Sequence, residues 1–216
     1  MFEQDHGSLR KRMVAEQMRS RGVADPRVLA AVEKVARHRF VNAGDESLAH
    51  EDNPLPNGHG QTISQPYVVA LMSELLQLQG HERVLEIGAG SGYQSAILAE
   101  LCQFVVAVER LPALADRARR LLTELGYANV EIVVGDGTLG WPEAAPYDAI
   151  LVTAAAPKVA DPWLAQLADG GRLVLPLGAR WSQALTRITK RGAELQTETF
   201  GEVAFVPLIG EHGWGE

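Results

Sequence analysis

From residue 83 onward the chain alternates between short runs of consecutive apolar residues and longer stretches with apolar positions three and four apart. The runs at 83–87, 104–108, 130–134, 149–153 and 172–177 are rich in Val, Ile and Leu and predict strands buried on both faces. The segments 93–101, 112–125 and 162–168 predict helices between them. This alternation implies an α/β fold: a mostly parallel central sheet with helices on both faces. The tail breaks the pattern, because 184–190 and 202–208 read as two strands with no helix between them. They predict an antiparallel C-terminal edge.

Upstream, residues 8–21 predict a helix with Leu9, Met13 and Met18 turned inward. Asp25 before Pro26 reads as an N-cap followed by proline at the first helical position. Val28, Leu29, Val32 and Val35 then form an apolar stripe. Residues 42–61 carry Asn42, Asn53, Pro54, Pro56, Asn57, Gly58 and Gly60 and predict a loop, of a length that in compact domains is usually functional. Pro66 restarts helix, with Val68, Val69, Met72, Leu75 and Leu76 on one face.

At 216 residues the chain predicts one domain. It divides into a helical and substrate-loop region (1–80), a cofactor-binding core (81–178) and C-terminal strands with a tail (179–216). The 46% hydrophobic and 22% charged content is that of a soluble globular protein. A net charge of -7 disfavours nucleic acid as a partner, and Arg10, Lys11, Arg12, Arg19 and Arg21 read as a solvated helix face. The one cysteine, Cys102, lies in an apolar stretch and reads as buried and inert. The stretch Met1–His6 is mostly polar and lacks the apolar core of a signal peptide, and no apolar run approaches the ~18 residues of a membrane span. The expectation is a cytoplasmic monomer without a membrane partner.

The chemistry concentrates where the first strand of the alternating region meets its helix: Val84–Leu85–Glu86–Ile87–Gly88–Ala89–Gly90–Ser91–Gly92–Tyr93. Glycines let the backbone turn sharply and approach a ligand where a Cβ would collide. In doubly wound sheets such loops bind ligands at the carboxyl ends of the strands. A dinucleotide fingerprint starting at Gly88 needs Gly or Ala at position 93, which is Tyr. No triphosphate-binding G-x-x-x-x-G-K-[ST] pattern occurs, nor Cys/His spacing for zinc. Glycines at 88, 90 and 92 match the spacing of methyltransferases that bind S-adenosyl-L-methionine. Gly88, Ala89, Gly90 and Gly92 are therefore candidate cofactor residues.

Glu109 ends the second strand, where a carboxylate can accept from ribose hydroxyls, or simply begin a helix near Pro112. Asp136, between Gly135 and Gly137, follows the third strand; it can take an adenine amino group or serve a tight turn, and Gly137 joins it as a candidate. Glu86 is a candidate for the loop backbone or the cofactor's ammonium group.

The stretch Gly60–Gln61–Thr62–Ile63–Ser64–Gln65–Pro66, together with Val84–Tyr93, Gly135–Asp136–Gly137 and Phe205–Val206–Pro207–Leu208, resembles the bacterial protein-L-isoaspartate O-methyltransferases. The likeness covers roughly residues 10–210. It implies a Rossmann-like class I methyltransferase fold, S-adenosyl-L-methionine as donor (with S-adenosyl-L-homocysteine as product) and isoaspartyl sites of peptides and damaged proteins as acceptors. D-aspartyl residues are a further acceptor it leaves open. It implies that Ser64 is the active-site residue, and that the methyl ester collapses to a succinimide on the way to normal aspartate. Thr62 and Ile63 become candidates for the cofactor, and Gln61, His59 and Val206 for the substrate.

Geometry points the same way for Ser64. A helix starting at Pro66 and packed antiparallel to strand 83–87 returns its N-terminus to the strand's carboxyl end. Ser64 and the glycine loop then face one pocket; the competing role for Ser64 is to cap the helix. An isoaspartyl α-carboxyl, with a pKa of ~3.5, is already ionised at neutral pH, so direct transfer needs no general base. Two alternatives remain at this level. One is a methyltransferase of the same fold acting on a small molecule or RNA; the other is a non-catalytic module that binds S-adenosyl-L-methionine.

Overall fold

The computed structural model describes residues 5–215. Residues 1–4 and the terminal Glu216, read above as part of the N-terminus and tail, lie outside the described residues. The element order is α1 (His6–Met13), α2 (Pro26–Lys34), β1 (Leu55–Gly58), β2 (Gln61–Ile63), α3 (Pro66–Leu75), β3 (Arg83–Ile87), α4 (Tyr93–Ala99), β4 (Phe104–Glu109), α5 (Pro112–Glu124), β5 (Val130–Val134), β6 (Tyr147–Val152), α6 (Asp161–Gln166), β7 (Leu167–Ala179), β8 (Ser182–Arg191) and β9 (Glu194–Val203).

Seven strands form one sheet in the order β5-β4-β3-β6-β7-β8-β9. The first four pairings are parallel, and β7-β8 and β8-β9 are antiparallel. Alternate residues of each central strand serve opposite faces, as the two-residue period requires. Val84, Val105 and Ala149 join a core with α1 to α5, whereas Leu85, Val106 and Ile150 join a second core with Trp163 of α6. The winding runs from β3 outward to β5, then jumps back to β6 on the other side of β3. Strand order therefore reverses between β3 and β6, and the carboxyl ends of these two strands flank the crevice where doubly wound sheets hold ligands.

Several local expectations hold. Asp25 accepts from Arg27 N at 2.8 Å and caps α2. Cys102 is buried, and desolvation pushes its thiol up to about 12, so it stays protonated. Among the described residues no helix is long and apolar enough to cross a membrane.

Four expectations are corrected. The single helix over 8–21 is α1 followed by a π-turn (Val14–Met18) and a 3-10 turn (Arg19–Arg21), closed by Gly22 at φ 97°. The loop at 42–61 contains a 3-10 turn (Glu46–Leu48) and the antiparallel β1-β2 hairpin, because Leu55, Asn57 and Ile63 face inward. The helix read at 162–168 stops at Gln166, and Leu167 already pairs with Tyr147 as the start of β7.

The strand at 202–208 is displaced to β9 (Glu194–Val203). That edge strand is almost wholly exposed and carries few apolar residues, so hydrophobic patterning could not mark it. Phe205–Leu208 instead leaves the edge, with Phe205 N donating to Gln183 Oε1 (2.9 Å) and Pro207 bridging Ala155 beyond β6. A proline cannot donate within a ladder, which suits this crossing segment. The tail that follows is pinned down by Trp214 Nε1 donating to Ala155 O and Glu211 N donating to Asp136 Oδ2.

Candidate active site

The glycine loop hangs from the sheet by its own backbone. Gly88 N and Ala89 N both donate to Val108 O, at 2.8 and 3.3 Å. Gly88, Gly90 and Gly92 all have positive φ (96°, 54° and 84°), a region open to glycine at no steric cost. A Cβ on Gly88 would also lie 2.6 Å from Thr153 Oγ1. Thr153 sits just beyond β6, and its hydroxyl donates to Gly88 O at 2.6 Å, with Ile87 O at 2.9 Å. The two strands flanking the switch point are thus tied together at their carboxyl ends.

Glu109, 7% exposed, braces the loop from the neighbouring strand. Its Oε2 accepts from Gly90 N and its Oε1 from Leu111 N, each at 2.9 Å. The carboxylate is bound on both oxygens, yet it still lines a cleft formed by the loop, Leu111, Gly137, Thr153 and residues 206–209. Gln61, Thr62, Ile63 and Ser64 close the cleft from the hairpin side.

Ser64 does not cap α3. Gln65 holds the N-cap position without a side-chain bond, and Tyr67 N donates to Asp52 Oδ1 at 3.0 Å. The Ser64 hydroxyl is therefore free of a structural duty in the helix.

A second groove adjoins the cleft, lined among others by Arg21, Tyr67, Leu71, Trp181, Phe200 and Phe205. Thr62, Ser64, Thr153 and Val206 line both cavities. The cleft has a glycine floor and a mixed lining, whereas the groove carries four aromatic rings, Tyr67, Trp181, Phe200 and Phe205, among polar residues.

Four sequence candidates fall elsewhere. Glu86 is fully buried beneath the loop, where Ser95 Oγ donates to its Oε2 at 2.5 Å and its Oε1 has no partner. Burial, opposed by the Ser95 hydroxyl and reinforced by Glu109, pushes its carboxyl up to about 8, so it is largely protonated at neutral pH. Of the two roles offered for it, the bond to the loop backbone is not made. Gly92 opens α4, and a Cβ there would meet Ala118 and Leu122 of α5 at 3.2 and 3.3 Å, so it serves close helix packing. His59 sits exposed at the hairpin tip with φ 51° and lines neither cavity.

Asp136 also lies off the cleft lining, although Gly137 is on it. Its Oδ1 accepts from Thr138 N and Oγ1 (2.9 and 2.7 Å), and its Oδ2 accepts from Glu211 N (2.8 Å). Burial pushes this carboxyl up, but these bonds and His212 hold it below its ordinary value. The turn reading of Asp136 is the one the geometry displays.

Sequence reasoning missed Thr153, Asn57 and the aromatic groove. Thr153 was reachable, since it follows a buried strand at the switch point just as Gly88 does. Asn57 is 1% exposed and packs near Gly90, with Arg117 Nη1 at 3.4 Å from its Oδ1; among the Asn, Pro and Gly residues of 42–61 it reads as one more loop residue.

A doubly wound seven-stranded sheet, with a glycine-lined cleft at its switch point and an antiparallel edge, defines a Rossmann-like class I methyltransferase fold. Residues 9–213 match the family model described as protein-L-isoaspartate(D-aspartate) O-methyltransferase. Among curated relatives, the protein-L-isoaspartate O-methyltransferase of Methanoculleus marisnigri is 57% identical over 205 residues, covering 95% of this chain and 93% of the relative. That of Geobacter metallireducens is 56% identical over 207 residues, covering 95% and 96%. A solved protein-L-isoaspartate O-methyltransferase superposes with a TM-score of 0.84 at 31% identity, over 94% of this chain and 66% of that one. A Plasmodium falciparum structure, described as a protein-L-isoaspartate O-methyltransferase in complex with S-adenosyl-L-homocysteine, shares the fold with a TM-score of 0.79 at 24% identity, over 96% and 99%. The chain belongs to the protein-L-isoaspartate(D-aspartate) O-methyltransferase family.

Proposed function

We infer that the protein is an S-adenosyl-L-methionine-dependent carboxyl O-methyltransferase acting on L-isoaspartyl, and by family also D-aspartyl, residues of damaged proteins. The observation that carries this reading is the shared wall: Thr62, Ser64, Thr153 and Val206 border both the glycine-lined cleft and the aromatic groove. A donor in the first and a peptide in the second would meet at these four residues.

The cleft residues fit the donor. The backbone of Gly88–Ala89–Gly90 offers a floor that a Cβ at position 88 would disrupt. Glu109, already fixed by two backbone N–H groups, retains lone pairs for ribose hydroxyls. Thr62, Ile63 and Gly137 complete the cofactor candidates on the lining. Asp136 acts at one remove in this reading, through Gly137 and the tail it pins.

When bound, S-adenosyl-L-methionine supplies an electrophilic methyl group on a sulfonium. A carboxylate oxygen of the substrate forms the new C–O bond as the C–S bond breaks, and sulfur keeps the electron pair. No proton moves, so the chain needs no general base. Its task is to orient an anion and exclude water. The Ser64 hydroxyl, free of helix capping, donates to the carboxylate. Gln61 and Val206 line the approach, while Tyr67, Phe200 and Phe205 cover the peptide. The buried, reduced Cys102 fits a cytoplasmic setting, and a self-contained site fits action as a monomer.

The test is to supply methyl-labelled S-adenosyl-L-methionine with matched peptides that differ only in aspartate or isoaspartate. Selective labelling of the isoaspartyl peptide is expected. Equal labelling of both, or none, overturns the reading.

A further inference from the structure

Away from the cleft, three histidines from three separate segments meet under the N-terminal layer. His6 opens α1, His38 lies in the 3-10 turn Arg37–Arg39, and His50 follows the turn Glu46–Leu48. The His6 and His38 rings stack at 3.8 Å, with His50 at 5.3 and 6.1 Å from them. One ring nitrogen of each lies within 4.8 Å of the others. His50 is only 8% exposed, yet neither of its ring nitrogens has a hydrogen-bond partner. His6 Nδ1 and His38 Nδ1 are also buried and unpartnered. Buried polar atoms without partners are costly, and each neutral imidazole has one lone pair, so the three rings together can offer three lone pairs to a single ligand.

We propose that His6, His38 and His50 form a stabilising site for a divalent late-transition metal of the Zn2+ class, with a solvent molecule as the fourth ligand. Three imidazoles without thiolate or hard oxygen ligands select that chemistry. Tetrahedral coordination at about 2.0–2.1 Å puts nitrogens roughly 3.4 Å apart, so the cluster closes by a small ring rotation, chiefly of His6 out of its stack. Neutral imidazole, the form that binds a metal, is the ordinary state of histidine at pH 7. Arg10, Arg37 and Arg39 face the cluster, with Glu46 opposing them. Arg10 Nε donates to Glu33 O, Arg37 Nε to Ala49 O and Arg39 Nη2 to Glu124, while Arg37 Nη1 has no partner.

The metal would act on stability rather than on turnover, and its nearest link to the cleft runs through His50. Two residues on, Asp52 binds Arg21 and the first turn of α3, directly beyond Ser64. A metal at the three histidines fastens α1 to the segment that sets this turn. The site is independent of the donor and peptide.

The experiment uses untagged, chelator-treated full-length protein titrated with Zn2+ by calorimetry, with Co2+ absorption as a geometric readout. One equivalent should bind saturably, with Co2+ giving tetrahedral d–d bands. At a hundredfold excess over Kd the Tm should rise by about 5–10 °C. His6→Gln changes a partly exposed residue and spares the fold; it should weaken binding at least tenfold while leaving isoaspartyl methylation kcat unchanged. His81→Gln, on an exposed histidine, should bind like the parent. Absence of saturable binding, or equal affinity in the His6→Gln protein, overturns the proposal and leaves three packed, solvated imidazoles.

Discussion

Glu109→Gln isolates the bond pattern that shapes the cofactor loop. The carboxylate accepts Gly90 N–H on one oxygen and Leu111 N–H on the other, both at 2.9 Å. Glutamine has nearly the same shape but offers one carbonyl oxygen and one NH2 group. Whichever way the amide is turned, one backbone N–H faces a donor. Leaving such a group unsatisfied costs about 1–3 kcal/mol when it stays buried.

Without ligand, Gly90 is only half-buried and can turn its N–H to water, so the unliganded protein loses little stability. Binding must draw the loop back, and the cost then appears in affinity. The expected result is an S-adenosyl-L-homocysteine Kd raised about 5- to 150-fold, with a Tm lowered by no more than about 4 °C. Isothermal calorimetry and thermal unfolding read the two quantities separately. An unchanged Kd would refute the reasoning. So would a large fall in Tm with normal affinity, because it would place the strain in the resting fold rather than in the liganded loop.

Ser64→Ala should lower kcat/KM for an isoaspartyl peptide at least tenfold, with stability changed by no more than about 0.5 kcal/mol because the hydroxyl caps nothing; unchanged kinetics would remove it from the site. Glu86→Gln tests the buried acid. With a folded pKa of about 8 against an ordinary carboxyl value in the unfolded chain, the native state holds the extra proton, so Glu86's contribution to stability is full below the unfolded pKa and is lost as pH rises through about 8. The variant, an isostere of the protonated form, should match the parent at pH 4 and unfold at higher temperature than the parent at pH 9; parallel Tm–pH curves would contradict this. Trp181→Ala, at a residue 75% exposed on the groove, should raise KM for aromatic-containing isoaspartyl peptides several-fold while kcat and Tm hold. Equal KM values would exclude Trp181 from peptide contact.

The sequence by itself determined the parallel core. Strands such as β3 and β6 are buried on both faces, so they are rich in consecutive apolar residues, broken at Glu86 and Asp148, and stand out in one dimension. It determined the glycine loop as well, because positive φ and close approach leave glycine as a readable trace at 88, 90 and 92. Ser64 was found through its helix start at Pro66, a local signal, together with the likeness of its surrounding motif.

Tertiary structure alone decided which acids face the cleft. Glu86 and Glu109 lie on one face of neighbouring strands, because Glu86 pairs with Ala107 two residues before Glu109; position along the strands leaves Glu86 in the core beside Ser95 and puts Glu109 at the carboxyl end, under the loop. It decided that Asp136 holds the tail, that His59 projects from a hairpin, and that β9 exists at all, since an edge strand solvated on its faces has no apolar period to read. The three-histidine cluster belongs here too. Residues 6, 38 and 50 share no spacing, and only the packing of α1 against two short turns brings their nitrogens together.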